Sequence, residues 1–377
     1  HMKFTKTNSS KKINKEYFEA KELGTTINAY TTADYTTFFV KSSFSIWKKI
    51  VKLLMHIVFD TNFSKNNIEI ERKVILEEKA MHDELHNNLK HLDKLYLTKD
   101  NPYITKSLIG TKESIIKLSN KDIQKYNDLH YAVNNCVFII SCNEQNRKQI
   151  IEYTTKVLNR IRNIKWETEN KKIIDDCLYK QYDYQLQVNM NLNSKYNKVL
   201  LYFKSFSLTS EHIIYVPMID YIITNALYKH LREKKGYVYR INCSHQSQMH
   251  VGVARVSFTT TYDKVSKLIK SIVKIIQDLT NSKKNYEKEK ENYINYFDNE
   301  VSYNIENLST LMENVVFSKE NIEDSVMLRN SIQNFSYENF KDMIKYIFDV
   351  NVMSAMIISK KKSVDYHIDT FKTSLNL

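Results

Sequence analysis

Two glutamates that are candidate metal ligands lie on one predicted helix in the first quarter of the chain. Apolar residues at helical spacing predict this helix from about Ile68 through Leu89. Glu71 and Glu78 are seven residues apart within it, so both carboxylates lie on the same face. Carboxylates in this arrangement can ligand a metal ion or orient another ligand. Spacing alone nevertheless favours a simpler interpretation, a solvated acidic face that also carries Glu69 and Glu77.

The same helix offers a second possible metal site. Glu78, His82 and His86 follow one another at intervals of four residues, and two histidines one helical turn apart can chelate zinc. The segment from His82 to His86 differs from the peptidase motif His-Glu-x-x-His, because Glu84 is displaced by one position. Surface histidines on a polar helix are much commoner than metal sites, and this is the favoured interpretation.

Strand and helix signals alternate along both halves of the chain and predict an α+β fold. Aromatic and β-branched residues predict strands in the first half, and helical periodicity predicts a helix with Trp47 and Val58 on one face. A similar order recurs in the second half. The predicted strands are Ile27–Tyr30, Tyr35–Val40, Val199–Phe203, Tyr237–Ser244 and Val251–Thr260. We expect two similar units, each an antiparallel sheet covered by helices.

Two segments that lie 217 residues apart indicate that the folding unit is duplicated. Ser119–Ser141 and Ser336–Ser359 each begin with a serine that can cap a helix. Each continues through an amphipathic turn to an asparagine, Asn134 or Asn351, and then to an apolar segment predicted as a strand. The predicted domains are residues 1–165 and 190–377, related by an approximate twofold axis. Residues 166–189 form the predicted linker, within which the polar stretch 166–176 is the best candidate.

Composition excludes several classes of protein. The chain has 377 residues and a net charge of +13, but its basic residues are dispersed and no nucleic-acid module accompanies them. We therefore expect no nucleic-acid binding. The longest apolar stretch, Ile46–Phe59, is interrupted by lysines, and no signal peptide is recognisable, so we expect a cytoplasmic protein without a membrane span. The four cysteines show no CxxC pair and are expected to be thiols.

Several ordered blocks of sequence resemble the insulinase (pitrilysin) family of zinc peptidases, in particular its small two-domain type related to mitochondrial processing peptidase. Gly24 begins GTTINAYTTADYTTFFV, similar to the family segment that follows its zinc helix. Gly110 lies in a run that ends in Tyr-x-x-x-Asn and a predicted strand, and Gly236 lies in LREKKGYVYRI. The segment IEIERKVILEEKAM resembles the helix that carries the third zinc ligand. The blocks occur in family order across nearly the whole chain.

The resemblance assigns roles to individual residues. It implies that Glu78 is the third zinc ligand and that Glu71 is a carboxylate supporting the zinc ligands. It implies that Arg232 and Tyr239 bind the substrate and stabilise the oxyanion, with Tyr237 as a less favoured substitute. By the same resemblance, Asn28, Ala29 and Tyr30 lie on an edge strand to which a peptide substrate adds as a further strand.

The family's zinc motif, His-x-x-Glu-His, is only partly represented in this sequence. His1 aligns with the second histidine of the motif, 77 residues before Glu78, and the pair His1-Met2 fits a vector remnant equally well. The first histidine and the catalytic glutamate are absent from the given residues, and so are the strands that precede them in the family. We therefore expect a shortened first domain and no zinc bound by this chain alone.

Three functions remain open at this stage. The favoured one is a catalytically silent subunit that binds peptides and forms a homo- or heterodimer with a related zinc-bearing subunit in peptide processing. The second is an active zinc endopeptidase whose motif lies in a missing N-terminal segment, which the presence of Glu71 and Glu78 favours. The third is an interaction protein that uses the fold without binding peptides.

Overall fold

Both halves of the chain fold into sheets covered by amphipathic helices, as the alternation of strand and helix signals predicts. The computed structural model describes residues 2–4, 11–59, 63, 65–86, 108–161, 196–302, 304–318, 322 and 324–358. The chain divides into two compact units. The first unit comprises His1–Asn87 and Thr105–Ile173, and the second comprises Asn88–Ile104 and Ile174–Leu377. The predicted linker at 166–189 lies outside the described residues.

The first unit contains a two-stranded antiparallel sheet and six helices among its described residues. Strands β1 (Thr26–Thr31) and β2 (Thr36–Lys41) pair from Thr26 opposite Lys41 to Thr31 opposite Thr36. The helices are α1 (Lys11–Glu22), α2 (Trp47–Phe59), α3 (Lys65–His86), α4 (Lys112–Lys117), α5 (Asn120–His130) and α6 (Glu144–Leu158). Short 3₁₀ turns occupy Met2–Phe4, Phe44–Ile46 and Val133–Asn135. The predicted strands Ile27–Tyr30 and Tyr35–Val40 correspond to β1 and β2, and the predicted helices that carry Trp47 and Glu78 correspond to α2 and α3.

A small apolar core joins the hairpin of the first unit to its helices. Ala20 of α1, Ile27 of β1 and three residues of α2, Ile50, Leu53 and Ile57, are buried together. The apolar side chains of α2 recur at spacings of three and four residues, which places them on one face toward the sheet. This packing holds β1, together with its exposed residues, against α1 and α2.

The second unit contains a four-stranded antiparallel sheet with strand order β4-β5-β3-β6. The strands are β3 (Asn197–Ser205), β4 (Ile241–Ser247), β5 (Gly252–Thr260) and β6 (Ser354–Ile358). Strand β3 lies between β5 and β6, and its apolar residues Val199 to Phe203 are almost fully buried. The helices described in this unit are α7 (Val216–Leu227), α8 (Val265–Asp278), α9 (Lys283–Tyr296), α10 (Ile305–Phe317), α11 (Ser325–Asn334) and α12 (Tyr337–Ile347).

The two segments predicted to be duplicated share their helix but differ in their strand. Ser119 caps α5 and Ser336 caps α12, each by accepting a hydrogen bond from a backbone amide, as predicted. After Asn351 the chain forms β6, which pairs with β3. The segment 136–141 after Asn134 forms no strand, so that part of the prediction is wrong. Within the described residues the sheet of the first unit consists of β1 and β2 alone, and this segment therefore has no central strand to pair with.

An ion pair in the second unit links a π-helical turn, Phe297–Val301, to α11. The Arg329 guanidinium donates to both carboxylate oxygens of Asp298, at 2.7 and 2.8 Å, and holds the pKa of that carboxyl below its usual value. A depressed folded-state pKa gives stabilisation that is present above the unfolded pKa of about 3.9 and is lost as the pH falls through the folded pKa.

We expect Asp298→Asn to lower the free energy of unfolding at neutral pH by less than about 1 kcal/mol, because both side chains are more than one third exposed. The difference should disappear as the pH falls through the lowered folded-state pKa of Asp298, because the wild-type carboxyl then becomes protonated. Urea unfolding over a series of pH values measures it. A difference that stays constant with pH would show that the effect does not come from the charge of Asp298.

Candidate functional site

Arg232 lies at the end of a long helical run that a glycine terminates. Helix α7 continues as a π-helical turn, Tyr228–Glu233, and the run stops at Gly236, whose φ is +60°. The amide of Gly236 donates to the carbonyl oxygen of Arg232 at 3.1 Å, and the amide of Tyr237 donates to that of Leu231 at 2.9 Å. Glycine adopts a left-handed conformation without the strain that a Cβ would add, which explains why it terminates this helix.

The structure brings Arg232 and Tyr239 together. The guanidinium carbon of Arg232 lies 5.2 Å from the centroid of the Tyr239 ring, within the range of a cation–π interaction. Tyr239 is 80% exposed, while Arg232 is partly buried. The pair therefore presents a positive charge with several N–H donors and a phenolic hydroxyl next to each other at the surface of the second unit. Such donors can bind a carbonyl oxygen or a developing negative charge.

Tyr239 does not lie on a strand, in contrast to the sequence-based prediction. The predicted strand Tyr237–Ser244 begins only at Ile241, as β4. The four residues before it follow the helix end at Gly236, and in this stretch only Val238 is buried. The aromatic residues that favoured a strand here thus belong to a connecting segment.

Tyr237, the alternative to Tyr239, lies among lysines in the same segment. The ammonium nitrogens of Lys267, Lys235 and Lys264 are 4.8, 5.8 and 5.8 Å from the centroid of its ring. A hydrogen bond from Lys267 lowers the pKa of the Tyr237 hydroxyl, and the positive charges of the lysines act in the same direction. This surface is basic and suits an anionic group better than a neutral one.

The predicted substrate strand is an edge strand in the described part of the first unit. There β1 pairs with β2 alone, with Asn28 opposite Phe39, Ala29 opposite Phe38 and Tyr30 opposite Thr37. Asn28 and Tyr30 are exposed, and the side-chain oxygen of Asn28 accepts a hydrogen bond from the amide of Ala29 at 2.8 Å. An edge of this kind can accept a further strand from a peptide.

Glu71 and Glu78 both lie on α3, as predicted. Glu71 is half-buried and Glu78 is exposed. His1 lies outside the described residues, as do the side chains of His82 and His86, although α3 extends through both histidines. Across the described part of the chain, no group of three or more potential metal ligands includes Glu78.

A cluster that the sequence did not reveal lies in the second unit. Asp220 of α7 and Cys243 and His245 of β4 bring a carboxylate oxygen, a sulfur and an imidazole nitrogen within 4.8 Å of one another. Burial raises the pKa of the Cys243 thiol well above its usual value, and the charge of Asp220 acts in the same direction. The only signal in the sequence was the alternation of Cys243 and His245, which places them on one face of a strand.

Two family models match consecutive parts of the chain. Residues 1–109 match the model described as "Insulinase (Peptidase family M16)", and residues 117–293 match the one described as "Peptidase M16 inactive domain". The chain belongs to the insulinase family. The ordered sequence blocks thus identified the family correctly.

The chain is also similar to curated proteins described as a zinc protease and as a subunit of mitochondrial-processing peptidase. An uncharacterized zinc protease of Rickettsia bellii is 24% identical over 277 residues, which cover 71% of this chain and 64% of that protein. The beta subunit of human mitochondrial-processing peptidase is 30% identical over 134 residues, which cover 35% of this chain and 27% of that subunit. The insulinase-family chain therefore matches less than two thirds of the length of each of these proteins.

Solved structures confirm the α+β fold. A protease from Helicobacter pylori has a TM-score of 0.74 at 17% identity, with 95% of this chain and 88% of that chain covered. An M16-like peptidase from Alicyclobacillus acidocaldarius has a TM-score of 0.73 at 15% identity, with 96% and 85% covered. At such low identities the likeness concerns the fold only.

The described residues of the first unit do not fit the zinc site of the insulinase family. That site needs two histidines and a glutamate as ligands. Of these ligands only Glu78 lies among the described residues, and no group of three potential ligands forms around it there.

Within the described residues, no helix is both long and apolar enough to cross a membrane.

Proposed function

We propose that this insulinase-family chain is a peptide-binding subunit that works in peptide processing with a related zinc-bearing subunit. In this proposal the open edge of β1 in the first unit, along Asn28, Ala29 and Tyr30, binds peptide as an added strand. In the second unit, Arg232 and Tyr239 donate hydrogen bonds to a peptide carbonyl oxygen. The catalytic zinc belongs to the partner subunit, with which the chain forms a heterodimer.

The observation that carries this proposal is the pairing of Arg232 with an exposed Tyr239. The guanidinium is planar, always charged and rich in donors, and its position over the ring fixes it beside the tyrosine. Because the tyrosine ring is 80% exposed, burial in the core does not explain its position. Donors held in place before the reaction are what a developing oxyanion requires.

The positive net charge of the chain favours peptides with acidic residues as its ligands. The net charge is +13, and Tyr237 with its three lysines forms a basic surface two residues before Tyr239. Long-range attraction raises the local concentration of an oppositely charged ligand and is weakened by salt. An acidic peptide is therefore the appropriate probe.

A second candidate function is that of a zinc endopeptidase whose zinc motif precedes His1. The observation in its favour is that Glu71 and Glu78 both lie on α3, seven residues apart, as the resemblance to the family requires. In that case the chain supplies the third ligand and its supporting carboxylate itself.

Peptide cleavage by the chain alone distinguishes the two functions. We expect the purified chain to bind a fluorescently labelled acidic peptide but not to cleave it, even with added zinc. Cleavage should appear when a zinc-bearing insulinase-family subunit from the same organism is added, and a zinc chelator should abolish it. Fluorescence anisotropy measures binding, and chromatography of the peptide measures cleavage.

Three outcomes would contradict the proposal in different ways. Cleavage by the chain alone with zinc would favour the endopeptidase. If the peptide is bound but no mixture cleaves it, the chain binds peptides and takes no part in their processing. No binding of the peptide, alone or in the mixture, would favour an interaction protein that uses the fold for another purpose.

A further inference from the structure

Helix α7 and strand β4 are joined by hydrogen bonds at a fixed register. The hydroxyl of Thr224 accepts a hydrogen bond from the amide of Cys243 at 2.9 Å and donates to its carbonyl oxygen at 3.3 Å. One helical turn earlier, Asp220 accepts a hydrogen bond from the amide of His245 at 3.0 Å. These contacts place the side chain of Asp220 beside those of Cys243 and His245, which lie on the same face of β4.

The three side chains have the chemistry and spacing of a zinc site. Their donor atoms are a carboxylate oxygen, a cysteine sulfur and an imidazole nitrogen, all within 4.8 Å of one another. Around one tetrahedral zinc ion, ligand atoms lie about 3.3–3.7 Å apart, a spacing that small side-chain rotations bring within reach. Sulfur and imidazole donors favour zinc and similar transition metals over calcium or magnesium.

A second, independent observation is the burial of the imidazole. The side chain of His245 is only 3% exposed, and its Nε2 has no hydrogen-bond partner, while its Nδ1 contacts the carboxylate of Asp220. Buried polar atoms in folded proteins normally have a partner, so the Nε2 atom of His245 is available to bind an ion. Cys243 is 3% exposed and has no disulfide.

The cluster is accessible from one side. The side chain of Asp220 is 23% exposed, so an ion can enter past this carboxylate. Three protein ligands leave one tetrahedral position, which a water molecule can fill. Zinc binds the thiolate, and the thiol proton therefore passes to the solvent when the ion binds.

We propose that Asp220, Cys243 and His245 form a zinc-binding site that clamps α7 to β4 in the second unit. The site uses none of the residues that the family resemblance assigns to zinc, and it departs from the sequence-based expectation that this chain alone binds no zinc. Its position gives it a structural role, since α7 continues directly into the turn that carries Arg232 and β4 begins two residues after Tyr239. A metal ion that bridges the two elements fixes both ends of the segment between them. This proposal stands independently of the proposed function.

Cobalt(II) is a suitable probe, because it replaces zinc and shows a sulfur-to-metal charge-transfer band when a thiolate is a ligand. We expect the metal-free chain of 377 residues to bind one equivalent of cobalt with this band, and zinc to displace it. Cys243→Ser should abolish the band. Asp220→Asn, a substitution at a partly exposed position that preserves size, should weaken binding more than tenfold while circular dichroism stays unchanged. The matched control, Cys142→Ser, removes an exposed thiol of the first unit and should bind cobalt as the unmodified chain does.

Several results would overturn the proposal. These are a folded chain that takes up no cobalt, uptake without the charge-transfer band, and a band that persists in Cys243→Ser. Loss of binding in His82→Ala or His86→Ala, with binding retained in Asp220→Asn, would place the ion on α3 instead. Because none of these measurements involves peptide cleavage, they are independent of the tests of the proposed function.

Discussion

Tyr239→Phe is expected to lower the rate of peptide cleavage by about 10²–10³, measured with the chain mixed with its zinc-bearing partner subunit. The substitution removes one hydroxyl from a side chain that is 80% exposed, so the free energy of unfolding should hardly change. The ring itself remains, and with it the contact to the Arg232 guanidinium. A loss of turnover without a loss of binding would show that the hydroxyl acts in the transition state rather than in the ground state.

Tyr237→Phe is the matched control for this experiment. It removes a hydroxyl two residues earlier in the same segment, where the ring lies among three lysines, and it should leave the rate nearly unchanged. Arg232→Ala should weaken peptide binding as well as turnover, because it removes a fixed charge and several donors. If Tyr239→Phe and Arg232→Ala both cleave at the unmodified rate, the pair is structural and the proposed role is wrong. If Tyr237→Phe alone is slow, the assignment moves to Tyr237.

Elements with a strong local signal could be predicted from the sequence to within a few residues. The predicted strand Val199–Phe203 lies within β3, and the predicted strand Val251–Thr260 begins one residue before β5 and ends with it. The buried residues of α8 recur at helical spacing. In these segments the spacing of the apolar residues matches the spacing of the positions that face the core. Local pattern and tertiary packing therefore agree.

Elements that depend on distant partners were harder to predict. The segment 136–141 has the composition of a strand, but Val137 is 66% exposed and no ladder forms among the described residues. A strand needs a neighbour, and composition does not reveal whether one is present. The same limit applies at Tyr237. Aromatic residues favoured a strand there, but the residues between the helix end at Gly236 and the start of β4 form no strand.

The candidate site shows the same contrast. Arg232 and Tyr239 were proposed from the sequence because they lie within eight consecutive residues of a segment that resembles a motif of the family. Asp220, Cys243 and His245 were missed because Asp220 is more than twenty residues from the other two and no known motif joins them. Only the packing of α7 against β4 brings the three together, and that packing is a property of the fold.

The packing of the second unit depends on one glycine where two strands meet. Gly252→Ala is expected to lower the free energy of unfolding of this unit by about 3 kcal/mol. A Cβ atom at this position would lie 2.0 Å from the carbonyl oxygen of Phe206 and 2.5 Å from its carbon. These are backbone atoms, so no side-chain rotation can relieve the overlap. Gly252 pairs with Ser205, the last residue of β3, and the strands must therefore move apart at this end. Urea unfolding measures the loss of stability, and amide hydrogen exchange in β3 and β5 locates it.

Gly236→Ala is the matched control in the same unit, because it adds the same methyl group where no atom lies within 4 Å. Its cost comes from the left-handed backbone conformation alone, with φ of +60°, and should be about 1–2 kcal/mol. The two substitutions thus separate a steric overlap between strands from conformational strain at a helix end. If Gly252→Ala is no less stable than Gly236→Ala, or if exchange in β3 and β5 is unchanged, the close approach of Gly252 to Phe206 does not limit the stability of the sheet. In that case the end of β3 adjusts to a Cβ atom at little cost, and the sheet around the proposed metal clamp is more adaptable than its geometry indicates.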